Sequence, residues 1–366
     1  MTEKTHTLVT GSILELLKDI EDILLFTLWC ISGSLIILSI GVALWLSIRR
    51  VLRNYWEGQT LSRQAKLEKI LQDLLKHPDK IDEFELPNAL RSDRTAVTAA
   101  LLKFFKMVKG DDAVRLKIIV EKLNLEPVVQ GAITWGNRGK RMRAFHVLSF
   151  LDSTSSLKTI SRFLYSSDKY IRLSVARCIA RRQVISLVSE VTESVVFAFP
   201  DDEKILTDVL FRFGRGAIPR IEILAQNSKV ATIKAGVLET LVLLKPETSQ
   251  LDFSNFIKDS DPRVRAAAVA LSTVSNGKNH RDLLQDGLAD ENRTVKIRSL
   301  KVAAAENRPE TFGDLYRLMS DPFMWVRYWA MQAALKTGQS GETLMRSLSR
   351  QGGNVGDLAT DVLKER

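Results

Sequence analysis

The sequence is poor in the residues that catalysis, metal binding and disulfide frameworks depend on. Only two of its 366 residues are cysteine and four are histidine. Cys30 lies inside an apolar run and Cys178 inside a helix-patterned segment, so they form no disulfide framework and suit a reducing compartment. His6, His77, His146 and His280 stand apart, with no second histidine, cysteine or paired acid at ligand spacing, so no metal site is expected. His146, in an apolar helical run, is expected to be a packing residue. There is no Gly-x-Ser-x-Gly elbow and no Gly-x-Gly-x-x-Gly turn. The nearest approach to a phosphate loop is Trp135-Gly136-Asn137-Arg138-Gly139-Lys140-Arg141. A P-loop would need glycine at Thr134 and serine or threonine at Arg141, so the motif fails. No catalytic residue and no cofactor is expected, and the chain is not expected to be an enzyme. Low-complexity runs are also missing, which argues against long disordered stretches.

Charge of one sign is in moderate excess. There are 53 basic and 43 acidic residues, a formal net charge of +10. That excess suits an acidic partner, an anionic membrane face or nucleic acid, and selects none of them.

One long hydrophobic run is present. From Ile23 to Ile48 no residue is charged, a stretch of 26 residues. A bilayer core about 30 Å thick is crossed by about 20 helical residues, so the run spans with room for tilt. Trp29 and Trp45 lie toward its ends, where indole rings favour the interface. A signal peptide fits poorly, because an acidic flank (1–22) precedes the run and the run exceeds an ordinary signal core. Arg49, Arg50 and Arg53 follow it immediately. Lys4 and Lys18 are the only basic Lys or Arg residues before it. The positive-inside rule then places the C-terminal part in the cytoplasm. The flank itself has the spacing of a short amphipathic helix at the interface.

Beyond the anchor, 49–77 reads as a juxtamembrane helix. Leu67, Ile70, Leu71, Leu74 and Leu75 make one apolar stripe, and His77-Pro78-Asp79 ends it. The stripe is short for a coiled coil, so packing on the next element is expected over pairing with a second copy.

The remaining segment, 78–366, carries a recurring pattern. Asp168-Lys169-Tyr170-Ile171-Arg172, Asp261-Pro262-Arg263-Val264-Arg265 and Asp321-Pro322 with Val326-Arg327 are its clearest copies. The apolar markers Val114, Met142, Ile171, Ile205, Ile233, Val264, Val295 and Val326 follow one another at spacings of 28, 29, 34, 28, 31, 31 and 31. A degenerate earlier copy starts at Asp93. Such a period is the mark of stacked helical units that cannot bury their stripes alone. Within one unit, Asp261 is a good N-cap, Pro262 suits the first helical position, and Val264, Ala268 and Leu271 share a face. The fold class expected is all-α: an α-solenoid of about eight helical hairpins after a single transmembrane helix, closed by a C-terminal cap.

These residues resemble the HEAT-repeat family, in particular the short bacterial HEAT-like repeats similar to those of phycobilisome lyases. The likeness covers about residues 90–345 and speaks to architecture. It implies that aspartates and arginines of the units pair structurally, with Asp261 to Arg265 and Asp168 to Arg172 as the pairs expected. It further implies a bacterial inner-membrane scaffold or adaptor for protein partners, accessory to an envelope polysaccharide synthesis or secretion complex. A nucleic-acid-binding HEAT-like protein is the alternative, disfavoured by the anchor, and a lyase-related enzyme ranks last. Two surfaces are candidates for partner binding. One is the aromatic group Phe323, Trp325, Tyr328 and Trp329 in the last full repeat, since aromatics anchor interfaces. The other is the basic turn of Arg138, Lys140, Arg141 and Arg143.

Overall fold

A computed structural model describes residues 3–246, 251, 253–272, 280–307 and 311–365. Side chains of residues 3–26 and of Cys30, Phe253, Ser254, Ser272, His280, Arg281 and Asp282 also lie outside the described residues. The expectations for His6, Cys30 and the apolar face of the N-terminal flank fall there. Two compact units emerge, Met1–Gln72 and Asp73–Arg366.

The first unit is dominated by one unbroken helix, α1 (Glu3–Lys76), 74 residues long. It runs without interruption through the flank, the apolar run and the juxtamembrane segment. Its apolar part is long enough to cross a membrane. Among the described residues from Thr27 to Gly58, every side chain is exposed, while Gly33 is partly covered. A core helix of a water-soluble protein would hide such residues within the chain, and here they are not hidden. Arg49 lies over the Trp45 ring at 5.2 Å, a cation–π contact at the end of the apolar run. Farther along, Leu67, Leu71 and Leu74 are buried, as the apolar stripe requires. The helix stops at Lys76, ahead of Pro78, which opens a short 3-10 turn, Pro78–Asp82.

The second unit is helical throughout, with no strand among the described residues. In chain order its helices are α2 (Asn88–Arg91), α3 (Arg94–Met107), α4 (Asp111–Lys122), α5 (Glu126–Trp135), α6 (Arg138–Leu148), α7 (Thr154–Ser161), α8 (Lys169–Arg181), α9 (Val188–Ala198) and α10 (Glu203–Phe211). There follow α11 (Ile218–Asn227), α12 (Ala231–Leu244), α13 (Phe253–Ile257), α14 (Pro262–Ser272), α15 (His280–Ala289), α16 (Arg293–Glu306), α17 (Phe312–Leu318), α18 (Met324–Lys336), α19 (Gln339–Gln351) and α20 (Gly353–Lys364). These are more helices than eight hairpins contain. Each packs on a neighbour in sequence, as α11 does on α12 and α17 on α18. Every second helix also packs on the one two places on, so that α6, α8, α10, α12, α14, α16 and α18 touch in succession.

The repeat markers Val264, Val295 and Val326 are wholly buried. Met142 is 36% exposed, and Val114 departs further from the expected pattern, at 58%. Its helix, α4, buries Leu116, Ile119 and Val120 instead. The helix that packs against α6 here is α3, whose Val97 is completely buried and whose start is capped by Asp93, accepting from the N–H groups of Thr95 and Ala96. The helix that starts after Asp93 therefore packs on α6, at the head of the row of alternate helices, and buries its own apolar face there.

The expected acid–base pairs also shift partners. Arg265 does not hold Asp261. It donates from Nε and Nη2 to Asp290, at 2.6 and 2.9 Å, while Asp261 receives Arg263 Nη2 at 2.8 Å. Asp168 is held by Arg138 rather than Arg172, and Arg172 Nε donates to the Ser166 carbonyl. The cause is the free carbonyls of the loop before each helix: Arg172 turns back to those of Ser166 and Tyr165, and Arg265 turns one nitrogen to those of Asp259 and Ser260 while its other nitrogens reach Asp290. Lys234–Asp259 at 2.7 Å and Lys296–Asp321 at 2.8 Å repeat the Arg265–Asp290 step, and in each pair the acid lies 25 residues after its cation.

Candidate functional site

Three regions of the second unit gather candidate side chains, which differ in how far the fold already occupies them. The first is the aromatic start of α18. Asp321 shapes it, accepting the Phe323 N–H at 2.9 Å while its other oxygen takes Lys296. Phe323, Met324 and Trp325 are exposed, Trp325 to 58%. Tyr328 stands edge-on to both Trp325 and Trp329, with ring centroids 5.7 and 5.5 Å away. Its hydroxyl donates to Glu365 at 2.7 Å, and that bond raises its pKa. Trp329 packs against the core and carries Lys301 Nζ over its ring at 4.7 Å. The four expected aromatics thus divide. Tyr328 and Trp329 fasten α18 to its surroundings, whereas Trp325 and Met324 present an open apolar edge with Phe323, whose ring Arg293 covers on one side at 5.3 Å.

The second region is the basic turn at the start of α6, and here the fold uses much of the charge. Arg138 makes a two-point bond to Asp168 and lies over the Tyr170 ring at 4.8 Å. The bond to Asp168 holds the Arg138 pKa above its ordinary value and, in return, Asp168 below the usual carboxylate range. Arg141 turns back to the Gly136 and Thr134 carbonyls, closing the end of α5. Lys140 and Arg143 are left with room to act. Their turn is a helix junction with two spare cations, not a concentrated basic patch.

The third region was not visible from the sequence. Two adjoining hollows of about 670 and about 410 Å³ share Lys106, His146, Ser149 and Arg181 in their walls. Their linings bring together eight lysine and arginine side chains and one carboxylate, Asp152. That carboxylate is engaged by Lys117 at 2.6 Å. Just outside the lining, Asp208 is shared between Arg177 and Arg212 at 2.8 and 2.7 Å. The floor is aromatic. Phe150 stacks on Phe105 at 4.9 Å and on His146 at 5.7 Å, and the Arg181 guanidinium covers it at 3.9 Å. Burial lowers the His146 pKa, and the nearby charges of Lys106, Arg181 and Arg212 lower it further. Burial likewise lowers that of Arg181, with Arg212 adding to the effect. His146 is therefore the packing residue expected from its apolar run, but it packs in the wall of a positively charged cleft.

The signal that could have revealed this cleft is positional. Lys106, His146 and Arg181 occupy the last turns of α3, α6 and α8, and Arg212 follows α10 directly. Cations at helix C-termini complement the helix dipole, so Lys106, Arg181 and Arg212 each have an ordinary local explanation. Only the packing of these helices gathers the four helix-end residues around one cleft. Among the described residues no group of histidine, cysteine and acidic side chains could hold a metal. No protein-family model matches the chain, and no curated protein does.

Proposed function

We propose that the chain is a membrane-anchored scaffold, held by a single span in a bacterial inner membrane and presenting a HEAT-like solenoid to protein partners in the cytoplasm. Alternate helices that touch in succession support the solenoid, because that is how repeat units bury stripes they cannot bury alone. The exposed apolar run of α1 and the arginines that follow it support the anchor and its direction. The observation that carries the scaffold reading is the open edge of Phe323, Met324 and Trp325. Large apolar side chains left uncovered at a helix start are the usual anchors of a protein interface. A membrane-associated partner suits the tether, and an envelope polysaccharide synthesis or secretion complex is the setting proposed.

The experiment is purification of the tagged full chain in mild detergent, beside Trp325→Ala and Phe323→Ala. The scaffold reading expects the same protein partner to be recovered repeatedly with the native chain and to be depleted by either substitution. Recovery of no reproducible partner, or undiminished recovery with both variants, would overturn it.

A further inference from the structure

We infer that the cleft lined by Lys106, Arg143, His146 and Arg181 is a binding site for a compact, multiply charged phosphate ligand. This inference is separate from the scaffold reading and uses none of the α18 aromatics.

The argument begins with charge that nothing balances. The nearby carboxylates are consumed by Lys117, Arg177 and Arg212. Among the described residues, no carboxylate pairs with Lys106, Lys109, Arg143 or Arg181, all of which line the two hollows. Arg143 reaches only the Gly139 carbonyl, at 3.4 Å, and Arg181 rests on Phe150. Cations gathered around a concave surface repel one another, and the field is strongest inside the hollow, where low-dielectric walls focus it. An anion placed there relieves the repulsion of several groups at once. A single exposed carboxylate placed there would answer only one or two of them.

Size narrows the class. Hollows of about 670 and about 410 Å³ that share four wall residues form a small-molecule site, in the range of about 300–1,000 Å³ usual for such pockets. An extended polyanion would need a basic track continuing along the row. Beyond α10 the row instead turns to mixed charge, where Arg298 pairs with Glu239 at 2.9 Å and Arg263 with Glu203 at 3.1 Å. The donors also fit phosphate. Arg143 and Arg181 offer planar forks suited to two-point contact with phosphate oxygens, and Lys106 and Lys109 add point charges. Phe105 and Phe150 give an apolar floor on which part of a larger phosphorylated molecule could rest.

The test uses the full chain in a neutral detergent, titrated calorimetrically with inorganic pyrophosphate and with ATP at low and moderate salt. Both probes should bind saturably at one site per chain, more weakly as salt rises. Lys106→Gln and Arg181→Gln should each weaken binding about tenfold, the loss expected for one charge-assisted contact. Lys106 is exposed and unpaired, so Lys106→Gln should melt like the native chain and separates loss of binding from loss of fold. Lys140→Gln, outside the cleft, should bind as the native chain does. The inference is overturned if neither probe binds saturably, or if Lys106→Gln and Arg181→Gln both bind with native affinity. It is equally overturned if a glutamate heptapeptide matches pyrophosphate, or if only single-stranded DNA or vesicles of anionic lipid bind.

Discussion

Arg265 grips Asp290 at two points, Nε to Oδ2 at 2.6 Å and Nη2 to Oδ1 at 2.9 Å, and so ties α14 to the loop that enters α16. Asp290 also accepts the Asn292 N–H at 2.7 Å, so one carboxylate shapes the turn before α16 and joins it to α14. Both side chains are largely covered, 18% and 10% exposed. Removing one partner strands the other with little solvent to replace it. Arg265→Ala and Asp290→Asn should each destabilise the chain by about 1–3 kcal/mol. The exposed pair Arg346–Glu342, at 2.7 Å on one helix, should contribute less than about 1 kcal/mol. Thermal melts of the three variants check this, and equal shifts for Arg265→Ala and Arg346→Ala would refute it.

The same carboxylates give stability a pH dependence of fixed sign. Burial works against the charged form of Asp290. The Arg265 bond, the Asn292 N–H and the charges of Arg265 and Lys296 outweigh it, leaving the carboxyl below its ordinary value. Arg263 lowers Asp261 in the same way, and Arg138 lowers Asp168. A folded-state pKa below the unfolded value of about 3.9 means that the unfolded chain binds more protons in between. The contribution is complete above the unfolded value and is lost as pH falls through the folded one. Melting temperature should therefore be insensitive to these groups near neutrality and should fall steeply below about pH 4. Asp290→Asn should make that acid decline shallower, and a decline unchanged by this substitution would contradict the assignment.

Cys178 should be chemically silent in the folded chain. It is buried in α8, and burial pushes its pKa up to about 12 despite the opposing charges of Arg182 and Arg181. The thiolate is the reactive form, so almost none is present at neutral pH. In a Cys30→Ser background, alkylation should follow the rate of opening and become rapid only in denaturant. Fast labelling of the native chain would show that α8 is looser than its packing indicates.

The helical character of this fold was legible because several helices announce their starts. Asp261-Pro262 and Asp321-Pro322 mark helix entries, and Val264, Val295 and Val326 are buried where a period of 31 places them. The Val114 marker failed for a physical reason. Asp111 and Asp112 do begin a helix, α4, as acids at an N-terminus should. A cap signal, however, fixes where a helix starts and not which neighbour it packs against. The cleft escaped notice on similar grounds. Its cations close the ends of helices, whereas the repeat pattern is read from their beginnings. The open aromatic edge was partly legible, since the crowding of Phe323, Trp325, Tyr328 and Trp329 was plain. Which of them the fold would cover depended on Glu365 and on the core beneath Trp329.

Close helix contact makes Gly287 intolerant of even one added carbon. A Cβ there would lie 2.3 Å from Ser299 Oγ and 2.7 Å from Val269 Cγ2. Ser299 is itself fixed, donating to the Val295 carbonyl at 2.9 Å. Alanine normally favours a helix over glycine by about 1 kcal/mol, so a helical glycine is ordinarily a stabilising target. Here overpacking should reverse the sign, and Gly287→Ala should destabilise by about 1–3 kcal/mol. Gly313, with nothing near its Cβ position, is the matched control, and Gly313→Ala should be neutral or stabilising. A stabilised Gly287→Ala chain would show that α15 can move away from α16 without penalty.

The arginines after the apolar run carry the proposed orientation, and they can be tested apart from any partner. Arg49, Arg50 and Arg53 are exposed on α1, and Arg53 has only a loose 3.9 Å contact with Glu57 to offset it. Positive residues close to a span resist translocation, which should retain the C-terminal unit in the cytoplasm. Alkaline phosphatase fused after Arg366 should then be inactive, and a fluorescent protein at the same place should fluoresce. Changing all three arginines to glutamine leaves only Arg63 and Lys66, farther from the span, to set against Lys4 and Lys18 on the other side. A measurable fraction of molecules should then invert and gain phosphatase activity. High phosphatase activity in the native fusion would place the second unit on the opposite side of the membrane and remove the cytoplasmic setting proposed for it.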